Sequence, residues 1–428
     1  MLTLLISLGL VLLALAGAPL FAVIGASALL GFHLAGIDGQ AVVIELYRLT
    51  DMPILVAIPL FTLAGYLLGE SEAPRRLVRL TDALLGWMQG GLAIVALAAC
   101  ALFTAFTGAS GVTIVALGAL LYPALKSGGY GERFSLGLVT SSGSLGILFA
   151  PSLPLILYGV VAQQLSLPIQ VGIEDLFLAG LLPGLLMLAI LGGYSHWHAR
   201  GLERARHPFD AREAAAALRD AAWELPLPVA VLGGIYGGLI AISEAAALAA
   251  AYVLIVTVGI RREIPWRALP HVLAEAMRLV GAILIILGVS LASTNIMIDA
   301  QIPTRLFETI QALVDDRWTF LILLNVFLLI LGTMLDIFAA LVIMIPILLP
   351  VALSYGVDPL HLGIIFLANM QIGYFTPPVG MNLFIASFRF NRPVMELYRA
   401  TLPFFFLLLG AVLIITYWPA LSLWLPGR

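Results

Sequence analysis

The chain holds 428 residues, 62% of them hydrophobic and 11% charged, with a formal net charge of −3. A soluble domain carries roughly a quarter charged residues, so the composition excludes a water-soluble globular protein and offers no basic surplus for nucleic acid. Cys100 is the only cysteine, which leaves no disulfide framework and no cysteine-based metal site.

Apolar blocks fall at 2–17, 18–36, 51–69, 88–125, 134–160, 175–197, 225–241, 242–260, 279–298, 318–354, 360–388 and 400–424. Several reach the ~20 residues that a spanning helix needs, which predicts an all-α polytopic membrane protein. The first block ends in a small-residue pattern resembling a signal-peptide cleavage site. It lacks a basic start and the apolar pattern continues past it, so a retained membrane segment is expected. Blocks 88–125 and 318–354 are too long for one helix and are interrupted by TGASGVT (107–113) and GTMLD (332–336). Each reads as two crossings or as a re-entrant hairpin whose tip lies at membrane depth. Irregular backbone at that depth is tolerated only inside protein or against a water-filled cavity.

Two later blocks are broken by proline. Residues 134–160 crowd Thr140, Ser141, Ser142, Gly143 and Ser144 ahead of Pro151 and Ser152, and residues 360–388 carry Thr376-Pro377-Pro378-Val379-Gly380. Proline lacks an N–H and frees carbonyls one turn earlier, groups that hydrocarbon cannot satisfy. A small hard cation such as Na⁺ can, and half-helix N-termini at the same break attract an anion. The alternative is a structural kink, with each hydroxyl bonded to its own helix. Asp336, in the second tip, reads either as a functional intramembrane carboxylate or as an N-cap. Ser243 and Glu244 read as an N-cap and first-turn acid, and Asn369 as facing either substrate or a neighbouring helix.

Basic residues orient the chain. Arg75, Arg76, Arg79, Lys126 and Arg133 flank the first long block. With the linker arginines Arg200, Arg204, Arg206, Arg212 and Arg219, then Arg261, Arg262, Arg267 and Arg278, and finally Arg389, Arg392 and Arg399, they fit cytoplasmic placement. The base of the first hairpin is then cytoplasmic and that of the second lies on the far side. That opposition suggests an inverted repeat. P-x-R-L-x5-A-L occurs at Pro74–Leu84 and again at Pro303–Leu313, offset by 229, while Gly137…Pro151 and Gly363…Pro377 match at an offset of 226. The expected division is a first repeat at 1–197, a charged amphipathic linker at 198–224 and a second repeat at 225–428. No Walker A pattern, HExxH or catalytic constellation is present, and no enzyme is expected.

The stretches IPLFTLAG (58–65), Gly108-Ala109-Ser110, APSLPLILYG (150–159), GGIYGG…SEAAA (233–247) and GVDPLHLGIIF…NMQIGYFTPPVGMNLF (356–384) carry a resemblance. The chain resembles the large membrane subunit of tripartite ATP-independent periplasmic (TRAP) transporters. The resemblance implies an elevator-type fold of the ion-transporter superfamily with a scaffold and a mobile transport domain. It also implies Na⁺-coupled uptake of an organic anion, often a carboxylate, across the bacterial inner membrane. A small membrane subunit, expected as a separate chain, and a periplasmic substrate-binding protein would be its partners. One Na⁺ site would join Gly108 and Ser110 to Ser142, Gly143 and Ser144. The other would join Gly332 and Asp336 to Gly373, Thr376 and Gly380, with Ser110, Asp336 and Asn369 toward substrate. Two departures stand out: the first tip usually reads glycine-serine-serine where Ala109 stands here, and the second usually carries glutamate where Asp336 stands. The nearest competing reading is a one-component Na⁺- or H⁺-coupled anion permease.

Overall fold

The structure, a computed structural model, describes residues 18–88, 90–165, 169–201, 209–311, 314 and 316–427, together with 6, 9, 10, 12 and 13. Block 2–17 thus lies largely outside the described residues, as do Arg204, Arg206, Ala312 and Leu313. The α-helices in chain order are α1 (Leu20–Leu34), α2 (Gln40–Arg48), α3 (Ala57–Glu70), α4 (Ala73–Leu85), α5 (Gly91–Thr107), α6 (Ser110–Ala116) and α7 (Gly118–Ser127). There follow α8 (Glu132–Ser142), α9 (Leu153–Gln163), α10 (Ile173–His198), α11 (Ala211–Asp220), α12 (Pro226–Tyr236), α13 (Ile242–Leu254) and α14 (Leu269–Asp299). The last are α15 (Ile302–Gln311), α16 (Arg317–Met334), α17 (Ile337–Ser354), α18 (Pro359–Gly373), α19 (Met381–Phe390), α20 (Val394–Tyr417) and α21 (Ala420–Leu423).

Among the described residues, seven helices are long and apolar enough to cross a membrane. Two further pairs pass the same test as bent units, α6 with α7 at 51° and residues 132–148 with α9 at 42°. Large apolar side chains face outward, Phe388 at 93% exposure being the extreme, as lipid contact allows. The protein is a multi-pass membrane protein.

The order α3, α4, hairpin α5/α6–α7, broken pair α8/α9, α10 recurs as α14, α15, hairpin α16/α17, broken pair α18/α19, α20. Equivalent landmarks lie 227 positions apart. They are the caps of the second hairpin arms (109 and 336), the caps of the broken helices (131 and 358), and the cis prolines (151 and 378). This single register replaces the two sequence offsets: 229 is the spacing of the arms α4 and α15 (73 and 302), and 226 pairs Pro151 with Pro377 in place of the cis Pro378.

The helices form two packed groups. One holds α1, α2, α3, α13 and α14, and the other holds the hairpins, the broken helices, α10 and α20. Every residue of α18 is buried; a helix apolar on all sides belongs inside protein. The arms α4 and α15 are different, since polar residues share their length with an apolar face, and each opens with proline in its first turn. At the start of α13 the cap is Ala241, two residues ahead of the expected Ser243. Glu244 Oε2 accepts from Ala241 N–H at 2.9 Å, and it is this reach back that moves the helix start forward.

Arm α4 is anchored by a buried charge cluster. Arg76 donates to Glu224 Oε1 through Nε at 2.8 Å and Nη2 at 2.5 Å, and to Glu263 Oε1 through Nη1 at 2.5 Å. Glu263 also accepts from Glu72 N–H at 3.0 Å. Burial works against both charges, yet the mutual hydrogen bonds outweigh it, holding the Arg76 guanidinium above its ordinary pKa and the Glu263 carboxyl below its own. Linker helix α11 lies against α4, with Arg79 paired to Glu213 and Asp220.

Arg76→Ala strands one buried and one partly buried carboxylate and is expected to cost about 3 kcal/mol, read as a lowered unfolding midpoint in detergent. Because the Glu263 carboxyl is depressed on folding, its contribution is complete above the ordinary value of 4.5 and lost as pH falls through the lower folded-state value. The stability gap between wild type and Arg76→Ala is accordingly expected to narrow below that pH in a midpoint-versus-pH series.

Candidate functional site

Each hairpin tip closes on the break of its own repeat. In the first, α5 ends at Thr107 and the chain turns at Gly108, whose φ of +65° suits glycine. A Cβ there would lie 2.7 Å from the Leu153 side chain, so the tip abuts the start of α9. Thr104 Oγ1 lies 2.9 Å from Gly143 O, 2.7 Å from Cys100 O and 2.7 Å from Thr113 Oγ1. Two hydroxyl protons therefore serve more oxygens than they can satisfy at once. Ser110 O lies 3.3 Å from where a Gly143 Cβ would stand, so α6 packs directly against the break. Such an oxygen-rich junction suits a hard cation.

In the second repeat Gly332 and Gly373 meet backbone to backbone, since a Cβ on Gly373 would lie 2.5 Å from Gly332 C and Cα. Gly380 N–H donates to Thr333 O at 3.1 Å. Asp336 does two things at once. Its Oδ2 accepts from Phe338 N–H at 3.0 Å, capping α17, and its Oδ1 accepts from the Tyr374 hydroxyl at 3.1 Å. That hydroxyl also accepts from Ile337 N–H at 2.9 Å, which ties the tip to the break through one ring.

The remaining residues singled out from sequence divide. Ser142 Oγ donates back to Val139 O at 3.3 Å, and Thr376 Oγ1 donates back to Ile372 O at 2.8 Å. Ser144 Oγ instead donates across the molecule to Gln371 O at 3.1 Å. Asn369 Nδ2 donates to Asn325 Oδ1 at 2.7 Å, and Asn325 Oδ1 also accepts from Thr416 Oγ1 at 3.2 Å. That network joins α16, α18 and α20. Ser110 Oγ donates to Asn382 Oδ1 at 2.7 Å. Thr104, Thr113, Thr333, Tyr374 and Asn382 are site residues that sequence reasoning did not select. Their only local signal is a polar group within a turn of each tip or break.

Buried side-chain atoms without a hydrogen-bond partner include Thr140 Oγ1, Ser152 Oγ, Asn369 Oδ1, Gln371 Oε1 and Asn382 Nδ2. All five belong to the two broken helices or their breaks. No cluster of three His, Cys, Asp or Glu side chains suited to a metal ion exists among the described residues; a cation at the first junction would rest on carbonyls and hydroxyls, and one at the second on these together with Asp336. A cleft of about 600 Å³ opens elsewhere, between Arg48, Asp51, Pro53, Gln163, Glu174 and Ser243. Gln163 ends α9, so the cleft lies a helix length from the junctions and is distinct from them.

The model of the tripartite ATP-independent periplasmic transporter DctM component matches residues 5–421. The chain is 38% identical over 416 residues to the isethionate TRAP transporter permease protein DctMQ of Oleidesulfovibrio alaskensis, covering 96% of this chain and 64% of that relative's length. To the C4-dicarboxylate TRAP transporter large permease protein DctM of Pseudomonas aeruginosa it is 36% identical, covering 91% of this chain and 90% of the relative. The corresponding protein of Rhodobacter capsulatus is 34% identical, with 98% and 97% covered. Among solved structures, the Alcanivorax borkumensis YdaH transporter superposes with a TM-score of 0.61 over 89% of this chain and 88% of that one, and at 15% identity it supports the fold alone. Matched along nearly its whole length, the chain belongs to the DctM-component family of TRAP transporter large permeases.

Proposed function

We propose that this chain is the large transmembrane subunit of a Na⁺-coupled, binding-protein-dependent secondary transporter that imports an organic anion across a bacterial inner membrane by an elevator motion. One observation carries the reading: the helix ends converge. Helices α5, α8, α16 and α18 end at the two tips and two breaks, while the second hairpin arms, α9 and α19 begin there. Unpaired C-terminal carbonyls favour a cation, and N-terminal N–H groups favour an anion. Discontinuous helices of this kind, paired by a repeat, suit coupled transport at mid-membrane.

The coupling ion would sit where Thr104, Thr113 and Gly143 O come together, and a second where Gly332, Thr333, Gly373 and Asp336 meet. Named relatives take isethionate, C4-dicarboxylates and ectoine, which share an anionic oxygen group, so a carboxylate or sulfonate is the substrate class here. The group of α1 to α3 with α13 and α14 would be the scaffold, the hairpins and broken helices would move, and α4 and α15 would join the two. Residues 1–197 and 225–428 then form the repeats around linker 198–224. A small membrane subunit and a periplasmic binding protein complete the system; the DctMQ relative, 64% of which this chain spans, fits a small subunit fused in some members.

Proteoliposomes holding the chain and its small subunit, tested with and without the binding protein under an inward Na⁺ gradient, check the reading. Uptake is expected only with both Na⁺ and the binding protein. Uptake by the chain alone, indifferent to the binding protein, would establish the one-component permease instead. Gly373→Ala places a Cβ against Gly332 backbone that has no flexible side chain to give way. A clash of about 1–3 kcal/mol on the closed junction is expected to cut the uptake rate about fivefold or more, with the protein still inserted at wild-type level by quantitative blotting.

A further inference from the structure

Both tips and both breaks lack basic side chains: residues 104–113, 143–153, 332–337 and 373–383 contain no Lys, Arg or His. An oxyanion held among them is therefore recognised by neutral donors, and the structure offers one without an acceptor. Asn382 stands in the first turn of α19, fully buried, with its N–H donating to Tyr374 O at 2.9 Å. Its Oδ1 accepts from Ser110 Oγ at 2.7 Å, which turns the amide so that Nδ2 presents its hydrogens elsewhere. Nδ2 has neither a partner nor solvent. Two amide hydrogens sealed in protein without an acceptor weaken the fold, a cost that an arriving oxygen removes.

We propose that Asn382 Nδ2 donates to the anionic oxygen of the substrate, a carboxylate or sulfonate, and that Ser110 is the positioning residue that keeps the amide in its donating orientation. The proposal rests on the transport reading above. Ser110 belongs to the tip of the first repeat and Asn382 to the break of the second, so the donor that meets the substrate is held in place by the other half. A neutral donor also accounts for carboxylate and sulfonate serving alike, since neither needs a guanidinium fork.

The test uses the full complex with succinate, isethionate and ectoine as probes. Asn382→Asp keeps the shape and replaces the donor with a carboxylate; Asn382→Leu removes hydrogen bonding altogether. Both are expected to raise the KM of the transported probe by about tenfold or more with a smaller change in kcat. Ser110→Ala is expected to raise it by less. Thermal stabilisation of the solubilised complex by Na⁺ without substrate is expected to survive in both Asn382 variants, which separates a substrate contact from a structural one. A KM within about twofold of wild type in Asn382→Asp, loss of the Na⁺ stabilisation, or a wild type that neither transports nor is stabilised by any probe would overturn the proposal. Uptake indifferent to Na⁺ and to the binding protein, but with the KM still raised in Asn382→Asp, would overturn the transport reading and leave this contact standing.

Discussion

The structure depends on a single constraint: backbone polar groups at membrane depth must find partners inside the protein. Two helices stop halfway and two hairpins turn in the interior, and each exposes groups that the other satisfies. Gly380 N–H finds Thr333 O, Ile337 N–H finds the Tyr374 hydroxyl, and Gly143 O finds Thr104. Neither a hairpin nor a broken helix satisfies all of these groups by itself. Small residues make the mutual satisfaction possible, because Gly332 and Gly373 have no side chain to hold their two main chains apart. The wholly buried α18 follows from the same demand, since a break needs protein on every side.

The two junctions solve the problem with different chemistry. At the 227-residue register Asp336 corresponds to Ala109, which cannot cap its arm. The first junction relies on the Thr104 and Thr113 hydroxyls, and the second on a carboxylate held by a phenol. One is neutral and the other carries an ionisable group, so the pair is related in position without being equivalent in charge.

Much of this architecture was legible because polar or kinked residues interrupt apolar runs so conspicuously. GAS at 108–110, GTMLD at 332–336 and TPPVG at 376–380 stood out for that reason, and all three coincide with helix ends. The amphipathic helices α2, α4 and α15 are not legible in the sequence, because mixed polarity hides a short helix lying beside membrane segments. Hydroxyl roles were harder still. Ser142, Ser144 and Thr376 look alike in sequence, yet one of the three crosses to the other repeat while two bond their own helices. Tyr374 and Asn382 act through partners dozens or hundreds of residues away, so no local pattern marks them. The Ala241 cap shows the same limit: Glu244 decides the helix start from its third turn position.

The bond from Ser144 to Gln371 joins residues that the 227-residue register makes counterparts of each other (144 and 371). It therefore lies where the axis relating the repeats passes through the molecule. Two identical chains meeting on such an axis would have to set the same side chain against itself. Joining both halves in one polypeptide lifts that restriction, so one side can supply a hydroxyl proton and the other a bare carbonyl. The centre of this protein is thus a place where duplication allowed a handshake between unlike hands, a contact that a symmetric pair of separate chains could not have made.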